Sequence, residues 1–322
     1  MKKICRVLLS YLFVFLWQSA CAQETTYPDR PVTIVIPYSA GGVTDVFGRV
    51  IATQLSRLWN QSVIIDNRAG GGTIIGTQQV SRSAPDGYTI LLTSYGFTSN
   101  PILRKNLPYD PSSLTPLLLI GTSSNTLVIN ANLPYRNLAD ILAMAREKSG
   151  ALTLASSGNG SSPHVAAELF AKAAGIQITH IPYKGTSPAM NDLLSGQVHG
   201  IFDGTSALGN VSTGKLRAIA TAAAARHPHS PEVPTFRELG IDLVFGGWFG
   251  FFVPSAMPQT LQDKIFKDIE ASIADPAVNA VIVKTGLTLE TQTQEQFKLF
   301  LQTESSRLRQ LTESGNASIT VE

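Results

Sequence analysis

Pro37-Tyr38-Ser39-Ala40-Gly41-Gly42-Val43-Thr44-Asp45 joins two segments of opposite periodicity. Before it, Val32–Ile36 is an apolar run rich in β-branched residues. After it, Val46, Phe47, Val50, Ile51, Leu55 and Leu58 recur at helical spacing. A buried strand therefore ends at Pro37, turns through a glycine pair and feeds a helix. Gly41 and Gly42 lack side chains, so their N–H groups can approach a ligand closely. The first N–H groups of a helix have no partner within it and lie at the positive end of its dipole. Such a junction is a seat for an anion. It fits equally well as a tight turn that merely needs glycine.

Outward from this junction the order is β-α-β-α-β. Val63–Ile65 reads as a second strand closing on Asp66-Asn67-Arg68, and Ala69–Gly76 opens a helix running towards Ser83. Its glycines mimic a dinucleotide fingerprint, but the third falls one position late for GxGxxG and no acid follows at the right distance. Tyr88–Thr93 is a third strand, ending in Ser94-Tyr95-Gly96. The alternation predicts a sheet flanked by helices. Residues 100–116 lack periodicity and read as loop. Leu117–Ile120 and Leu127–Ile129 read as strands around Gly121–Asn125.

A second unit repeats the arrangement without repeating the sequence. Leu138–Lys148 is an amphipathic helix, and the strand Leu152–Ala155 runs into Ser156-Ser157-Gly158-Asn159-Gly160-Ser161-Ser162-Pro163-His164. Ser162 suits an N-cap, Pro163 a first helical residue and Gly175 a helix terminator. Thr179–Ile181 is a strand, Ser187 and Pro188 cap a helix, and Val198–Phe202 is a strand ending on Asp203. Leu216–Thr221 and Trp248–Val253 are further strands, and Leu261–Ile273, Val278–Lys284 and Gln294–Glu313 are helices. Two α/β units with polar glycine loops at their strand ends predict a ligand cleft between them.

The N-terminus has the form of a secretory leader: basic Lys2, Lys3 and Arg6, an apolar stretch from Val7 to Trp17, then Ala20-Cys21-Ala22 as a small-residue cleavage site. Lipidation at Cys21 is the rival, although Gln18 fits it poorly. Removing residues 1–22 from 322 leaves 300 and takes three of the 25 basic residues, so 22 face 23 acidic ones. The exported chain is thus near neutral, with no sign of a nucleic-acid partner. Both cysteines, Cys5 and Cys21, fall in the leader. Stability must come from a large core rather than from disulfides.

Catalytic signatures are missing. No GxSxG elbow, HExxH or Walker motif occurs. Among the five histidines, His164 either faces the cleft or bonds its own loop, and a Ser161 or Ser162 nucleophile with His164 lacks an orienting acid. Asp203 fits both a ligand hydroxyl or amine contact and an Asx-type cap on the turn at Gly204. Asp45 fits both the site and the helix dipole. Lys184 reads as a surface or hinge residue rather than an anion clamp, and Arg68 fits a salt bridge within its own domain.

Several stretches together resemble the Bug/TctC family, the periplasmic solute receptors of tripartite tricarboxylate transporters. They are Tyr27–Pro31, Pro37–Asp45, Asp66–Gly70, Ala84–Tyr88, Pro182–Gly185, Asp192–Gln197, Val233–Thr235 and Gly247–Gly250, in order along nearly the whole exported chain. Ala40 and the pair Ser161-Ser162 depart from common family usage. The resemblance implies an α/β fold of two domains, a type II-like Venus flytrap of the periplasmic binding protein kind, each domain a mixed sheet flanked by helices. It implies one domain from residues 23–122 with 246–322 and another from 123–245. It also implies a carboxylate on the loop Tyr38–Gly42 and a second polar group on the loop Ser157–Ser162.

The expected ligand set is Tyr38, Ser39, Gly41, Gly42, Asp45, Ser94 and Tyr95 on one wall and Ser157, Asn159, Ser161, Ser162 and Asp203 on the other. Tyr38, Tyr95 and Phe97 suit an aromatic or apolar acid as well as citrate. No catalytic residue, metal ligand or cofactor is expected. The expected protein is a periplasmic monomer that binds a small organic acid and delivers it to membrane permease subunits. A ligand-sensing subunit for a membrane kinase would share the fold, and a secreted hydrolase is the rival from a third class.

Overall fold

The computed structural model describes residues 27–204, 206–227 and 230–313; the leader read at residues 1–22, with Cys21, lies outside them. The chain first builds β1 (Val32–Ile36), α1 (Val43–Trp59), β2 (Val63–Asn67), α2 (Ile74–Ser81), β3 (Thr89–Ser94), α3 (Gly96–Leu103) and β4 (Leu114–Ser124). It continues through β5 (Thr126–Asn130), α4 (Leu138–Glu147), β6 (Leu152–Ser156), α5 (Ser162–Ala174), β7 (Ile178–Pro182), α6 (Thr186–Leu194), β8 (Gly200–Asp203), α7 (Leu208–Ser212) and β9 (Leu216–Thr221). Last come β10 (Gly246–Pro254), α8 (Gln259–Ala274), α9 (Pro276–Lys284), β11 (Thr288–Gln292) and α10 (Gln294–Glu313).

These strands form two mixed sheets flanked by helices, as expected for the fold class. One has the order β11-β4-β10-β3-β1-β2 and the other β7-β6-β8-β5-β9. In the first, β1 pairs parallel with β2 and β3, while β10 runs antiparallel to both β3 and β4. In the second, β6 is parallel to β7 and β8, and β5 antiparallel to β8 and β9. Among the described residues no helix is long and apolar enough to cross a membrane.

α1 illustrates how the sequence selects its packing. Phe47, Ile51 and Leu55 are fully buried on one face, and Arg49 and Arg57 lie on the other. Each such apolar side chain contributes about 1.5–3 kcal/mol relative to exposure. Val46 and Leu58, which share the helical spacing, stay exposed. Gly48 lets the helix sit on β1: a Cβ there would lie 2.5 Å from Ile36 Cδ1. Phe47 meets Phe249 of β10 edge-on at 5.1 Å. On the other side of that strand, Trp248 and Phe252 pack against Phe297 of α10 at 5.6 and 5.4 Å.

The chain passes between the sheets twice, and the two passages lie side by side. Asn125 alone separates β4 from β5. Its N–H donates to Phe245 O (3.3 Å), its carbonyl accepts from Ala222 N–H (2.7 Å), and Phe245 N–H donates to Ala222 O (2.8 Å). Outgoing and returning strands are therefore stitched together at one level.

Three local expectations differ from the structure. Residues 96–103 form α3 despite Pro101, because tertiary bonds replace local propensity: Asn100 Nδ2 donates to Gly72 O (2.8 Å) and Thr73 Oγ1 (3.0 Å). β11, a short edge strand with mostly exposed residues, carries no apolar run to announce it. Ser162 is the first residue of α5 and Ser161 its N-cap, one position earlier than the serine-proline pair suggested.

Candidate functional site

The carboxyl ends of the strands and the N-termini of three helices converge between the sheets. Gly42, Val43 and Thr44 bring the start of α1, Ser161, Ser162 and Pro163 that of α5, and Thr186 that of α6. They enclose a cavity of about 50 Å³ whose remaining walls include Tyr38, Ser94, Ser157, Gly247 and Phe249. Ser123, Asn125, Asp203 and Gly204 line it where the chain passes between the sheets. The rims touch. Ser39 N–H donates to Lys184 O (2.9 Å), and Ser99 Oγ donates to Gly160 O (2.5 Å). Both bonds join residues of the first sheet's unit to loops of the second, so the cleft is closed.

Of the residues expected from sequence, Tyr38, Gly42, Ser94, Ser157, Ser161, Ser162 and Asp203 line this cavity. Ser39 sits on the closed rim. Gly41, at φ +77°, donates its N–H to Asp45 Oδ2 (2.9 Å), which also accepts from Arg49 Nε (2.8 Å). Burial alone would raise the Asp45 carboxyl, but the bonds from Arg49 and Gly41 outweigh it and hold it below the usual range. Asp45 thus braces the loop from behind. Tyr95 packs edge-on to Phe245 (5.2 Å) in the core, and Phe97 against Phe252 (4.1 Å), both away from the cavity lining. Asn159 belongs to an outer cavity of about 310 Å³ at the cleft mouth, shared with Gly70–Thr73, Arg104 and Lys184.

Ser123, Asn125, Thr44, Thr186, Gly204 and Gly247 were not among the ligand contacts expected from the sequence, although Thr44 and Gly247 lie in family-like stretches and Gly204 in an expected turn. For Ser123 and Asn125 the signal was the run Gly121–Asn125, a polar break between two strands. Asn125 is 2 % exposed, and its Nδ2 donates to Ser162 Oγ at 2.6 Å. Burial pushes the Tyr38 phenol up to about 12, with nearby Thr93 and Ser94 partly offsetting it, so it presents a neutral hydroxyl at neutral pH. Ser161 is 6 % exposed and its Oγ, buried on the cavity wall, has no hydrogen-bond partner among the described residues. Other buried polar atoms, such as Thr98 Oγ1 and Trp248 Nε1, are also unpartnered; what sets Ser161 apart is that it lies on the cavity wall, within reach of a group in the cavity.

Two histidines hold the serine loop from outside the cavity. His164 stacks on His180 with ring centroids 3.9 Å apart and planes 16° apart. His164 Nδ1 accepts from Gly160 N–H (3.0 Å), and His180 Nε2 shares a 2.6 Å bond with Ser156 Oγ. Burial, and then the neighbouring His180, pushes His164 down to about 3, and burial pushes His180 down to about 4. Both rings are neutral at neutral pH. His164 Nδ1 is spent on the backbone and Nε2 lies 3.9 Å from Glu168. No Ser161–His164 or Ser162–His164 bond exists among the described residues, so the geometry of a nucleophilic pair is not assembled.

A larger cavity of about 220 Å³ lies behind Asp203 and Gly204, walled by residues such as Val128, Ala207, Leu208 and Val211. It shares only those two residues with the first and receives none of the three helix starts.

Residues 47–316 match the model of the TctC family, described as tripartite tricarboxylate transporter family receptor. The UPF0065 protein in the tcbD-tcbE intergenic region of Pseudomonas sp. (strain P51) is 35 % identical over 88 % of this chain and 85 % of its own. The structure of the periplasmic binding protein BugD superposes with a TM-score of 0.86 at 32 % identity, covering 90 % of this chain and 99 % of that one. R. palustris Rpa4515, solved with adipate, gives 0.86 at 28 % identity, covering 90 % and 99 %.

Proposed function

The chain belongs to the TctC family of tripartite tricarboxylate transporter receptors, and on that premise we propose that it closes its cleft over a small organic acid and hands it to membrane permease subunits. Members of the family are periplasmic solute-binding receptors and not enzymes. The observation that carries the acid is the cavity where three helix N-termini meet a buried, unpartnered Ser161 hydroxyl. Each helix terminus contributes roughly 0.3–2 kcal/mol towards an anion. Micromolar affinity requires about 8 kcal/mol. Hydroxyl donors, apolar contact with Phe249 and exclusion of water by the closed rims must supply the remainder.

Closure requires two bodies. Residues 23–122 with 246–322 form one lobe and 123–245 the other, hinged where Asn125 and Phe245 cross. A ligand touching both walls then favours the closed state by its contacts in that state. The receptor is exported by cleavage after Ala22 and works as a monomer.

The test is a thermal-shift screen of the ligand-stripped protein against carboxylic acids. An acid present at 100 times its Kd stabilises the folded state by about 2.7 kcal/mol, several degrees in Tm. A shift from a single acid class, abolished by Gly42→Val, supports the receptor. Calorimetry showing that the same acids bind Gly42→Val as tightly as wild type sinks the cleft assignment.

A further inference from the structure

The cavity of about 220 Å³ behind Asp203 and Gly204 has a floor and walls of its own. In β5 and β9, Leu127, Ile129, Ile219 and Ala220 point into one core, while Val128 and Ala218 lie on the opposite face of the sheet. On that second face α6 packs through Ala189 and Leu193. α7 has five residues and is about 7.5 Å long. β9, with six, runs roughly 20 Å. The short helix leaves part of the sheet uncovered, and the pairs Thr126–Thr221 and Val128–Ala218 floor the cavity there. The facing wall comes from the first sheet's unit, through Gly286 and Thr288 beside β11. A Cβ on Gly286 would lie 2.8 Å from Leu208 Cδ1 and 3.7 Å from Gly204 O, so the two units touch at this wall.

The chemistry of the lining is mostly apolar, from Val128, Ala207, Val211, Ala218 and Val233. Thr126 and Thr221 add two hydroxyls, and among the described residues neither has a hydrogen-bond partner. The ionisable residues of the lining are Asp203, Arg226, His227 and Glu232. Asp203 caps the turn that follows it, accepting from Ser206 N–H (2.6 Å) and Ala207 N–H (3.2 Å). Arg226 Nε donates to both oxygens of Glu238 (3.0 Å each), and Glu232 is exposed. A charged group seated on Val128 and Ala218 would lose its hydration against apolar walls, which is expensive. An apolar cavity of about 150 Å³ holds benzene. About 220 Å³ therefore has room for a six-membered ring carrying one polar group.

We propose that this cavity is a second ligand site, separate from the cleft, for a small uncharged molecule with a ring-sized apolar body and one hydroxyl. The body lies on Val128 and Ala218, and the hydroxyl bonds Thr126 or Thr221. Because Gly286 and Thr288 close the far side, the occupant bridges the two units.

The experiment is a fluorine NMR titration of the protein with 4-fluorobenzyl alcohol and with 4-fluorobenzylammonium, which has the same shape and a positive charge. The alcohol should bind with a Kd of roughly 1 mM or tighter, and the ammonium about tenfold or more weaker. Val211→Phe fills the cavity from α7, where Val211 is half-buried, and Thr288→Phe fills it from β11, where Thr288 is exposed. Each should weaken the alcohol about tenfold or more, with melting curves confirming that each variant folds. No binding of the alcohol overturns the site. Equal binding of alcohol and ammonium overturns the uncharged class. Undiminished binding in both folded variants places the alcohol elsewhere and overturns the site. A loss in Val211→Phe without one in Thr288→Phe overturns the bridging. Should Val211→Phe not fold, Thr288→Phe decides alone.

Discussion

Gly72→Ala isolates closure from folding. In the closed cleft a Cβ on Gly72 would lie 2.5 Å from Asn159 O, across the rim, and 2.9 Å from Arg104 Nη2. The guanidinium can swing aside; the carbonyl is backbone and cannot. Reaching even a 3.0 Å contact requires the rims to part by about 0.5 Å, against the Ser99–Gly160 bond at 2.5 Å. Overpacking of this kind costs about 1–3 kcal/mol, which predicts a Kd roughly 5- to 150-fold weaker. Left-handed strain must be separated from this. Gly72 has φ +62° and Gly71 φ +60°, so Ala at either pays a similar strain of about 1–2 kcal/mol. At Gly71 the new Cβ meets only its own loop, Ile74 Cβ at 3.3 Å. The two variants should therefore lose similar Tm without ligand, while only Gly72→Ala loses affinity in calorimetry. Equal affinity of the two would refute the idea that the rims must meet around the ligand.

Ser161→Ala should leave Tm without ligand unchanged or slightly raised, since the hydroxyl is already unpartnered, and should weaken ligand binding by about 0.5–1.5 kcal/mol in calorimetry. Asn125→Ala removes the donor to Ser162 at a position 2 % exposed, so chemical denaturation should report a loss of about 1–3 kcal/mol. Gly48→Ala should lower stability by about 1–3 kcal/mol through the Ile36 contact and leave Kd unchanged. For pH, the folded values of His164 and His180, about 3 and about 4, lie below the unfolded value of about 6.5. The unfolded chain therefore binds more protons between those limits, and stability should fall as pH drops from about 6.5 towards 4. Glu168, raised by burial, acts in the opposite sense near its own range. Tm measured between pH 7 and 4.5 should fall less steeply in His180→Asn, and an identical slope would remove the stacked pair as its cause.

The first half of the fold was legible because each element there carries its own signal. Val32–Ile36, Val63–Asn67 and Thr89–Ser94 are short β-branched runs, and α1 has a clear apolar face. Elements stabilised from elsewhere were not: in α3, Gly96-Phe97-Thr98-Ser99-Asn100-Pro101-Ile102-Leu103, five of the eight residues are poor helix formers, and its buried Ser99 and Asn100 bond to loops far away in the chain. The site divides in the same way. Residues in strand-to-helix loops, such as Tyr38, Gly42 and Ser161, follow from local geometry. Asn125 and Gly247 matter only because two passages of the chain meet. Tyr95 directly follows Ser94 in sequence, yet the chain turns into α3 there and its ring goes to Phe245 in the core.

β10 sits between β3 and β4, pairing antiparallel with each. It is made some 120 residues after β4, once all five strands of the second sheet have already emerged. Until it is made the first sheet is two separate pieces, β2-β1-β3 and β4 alone, with unpaired edges. During synthesis or export, then, the inserted unit can complete its hydrogen bonding while the unit that surrounds it waits for its central strand. The surrounding sheet closes last, through contacts of high sequence separation that slow folding. A truncation before Gly246 should leave the exposed edge of Thr89–Ser94 open to foreign strands, which gives chaperones a late and specific interval in which to act.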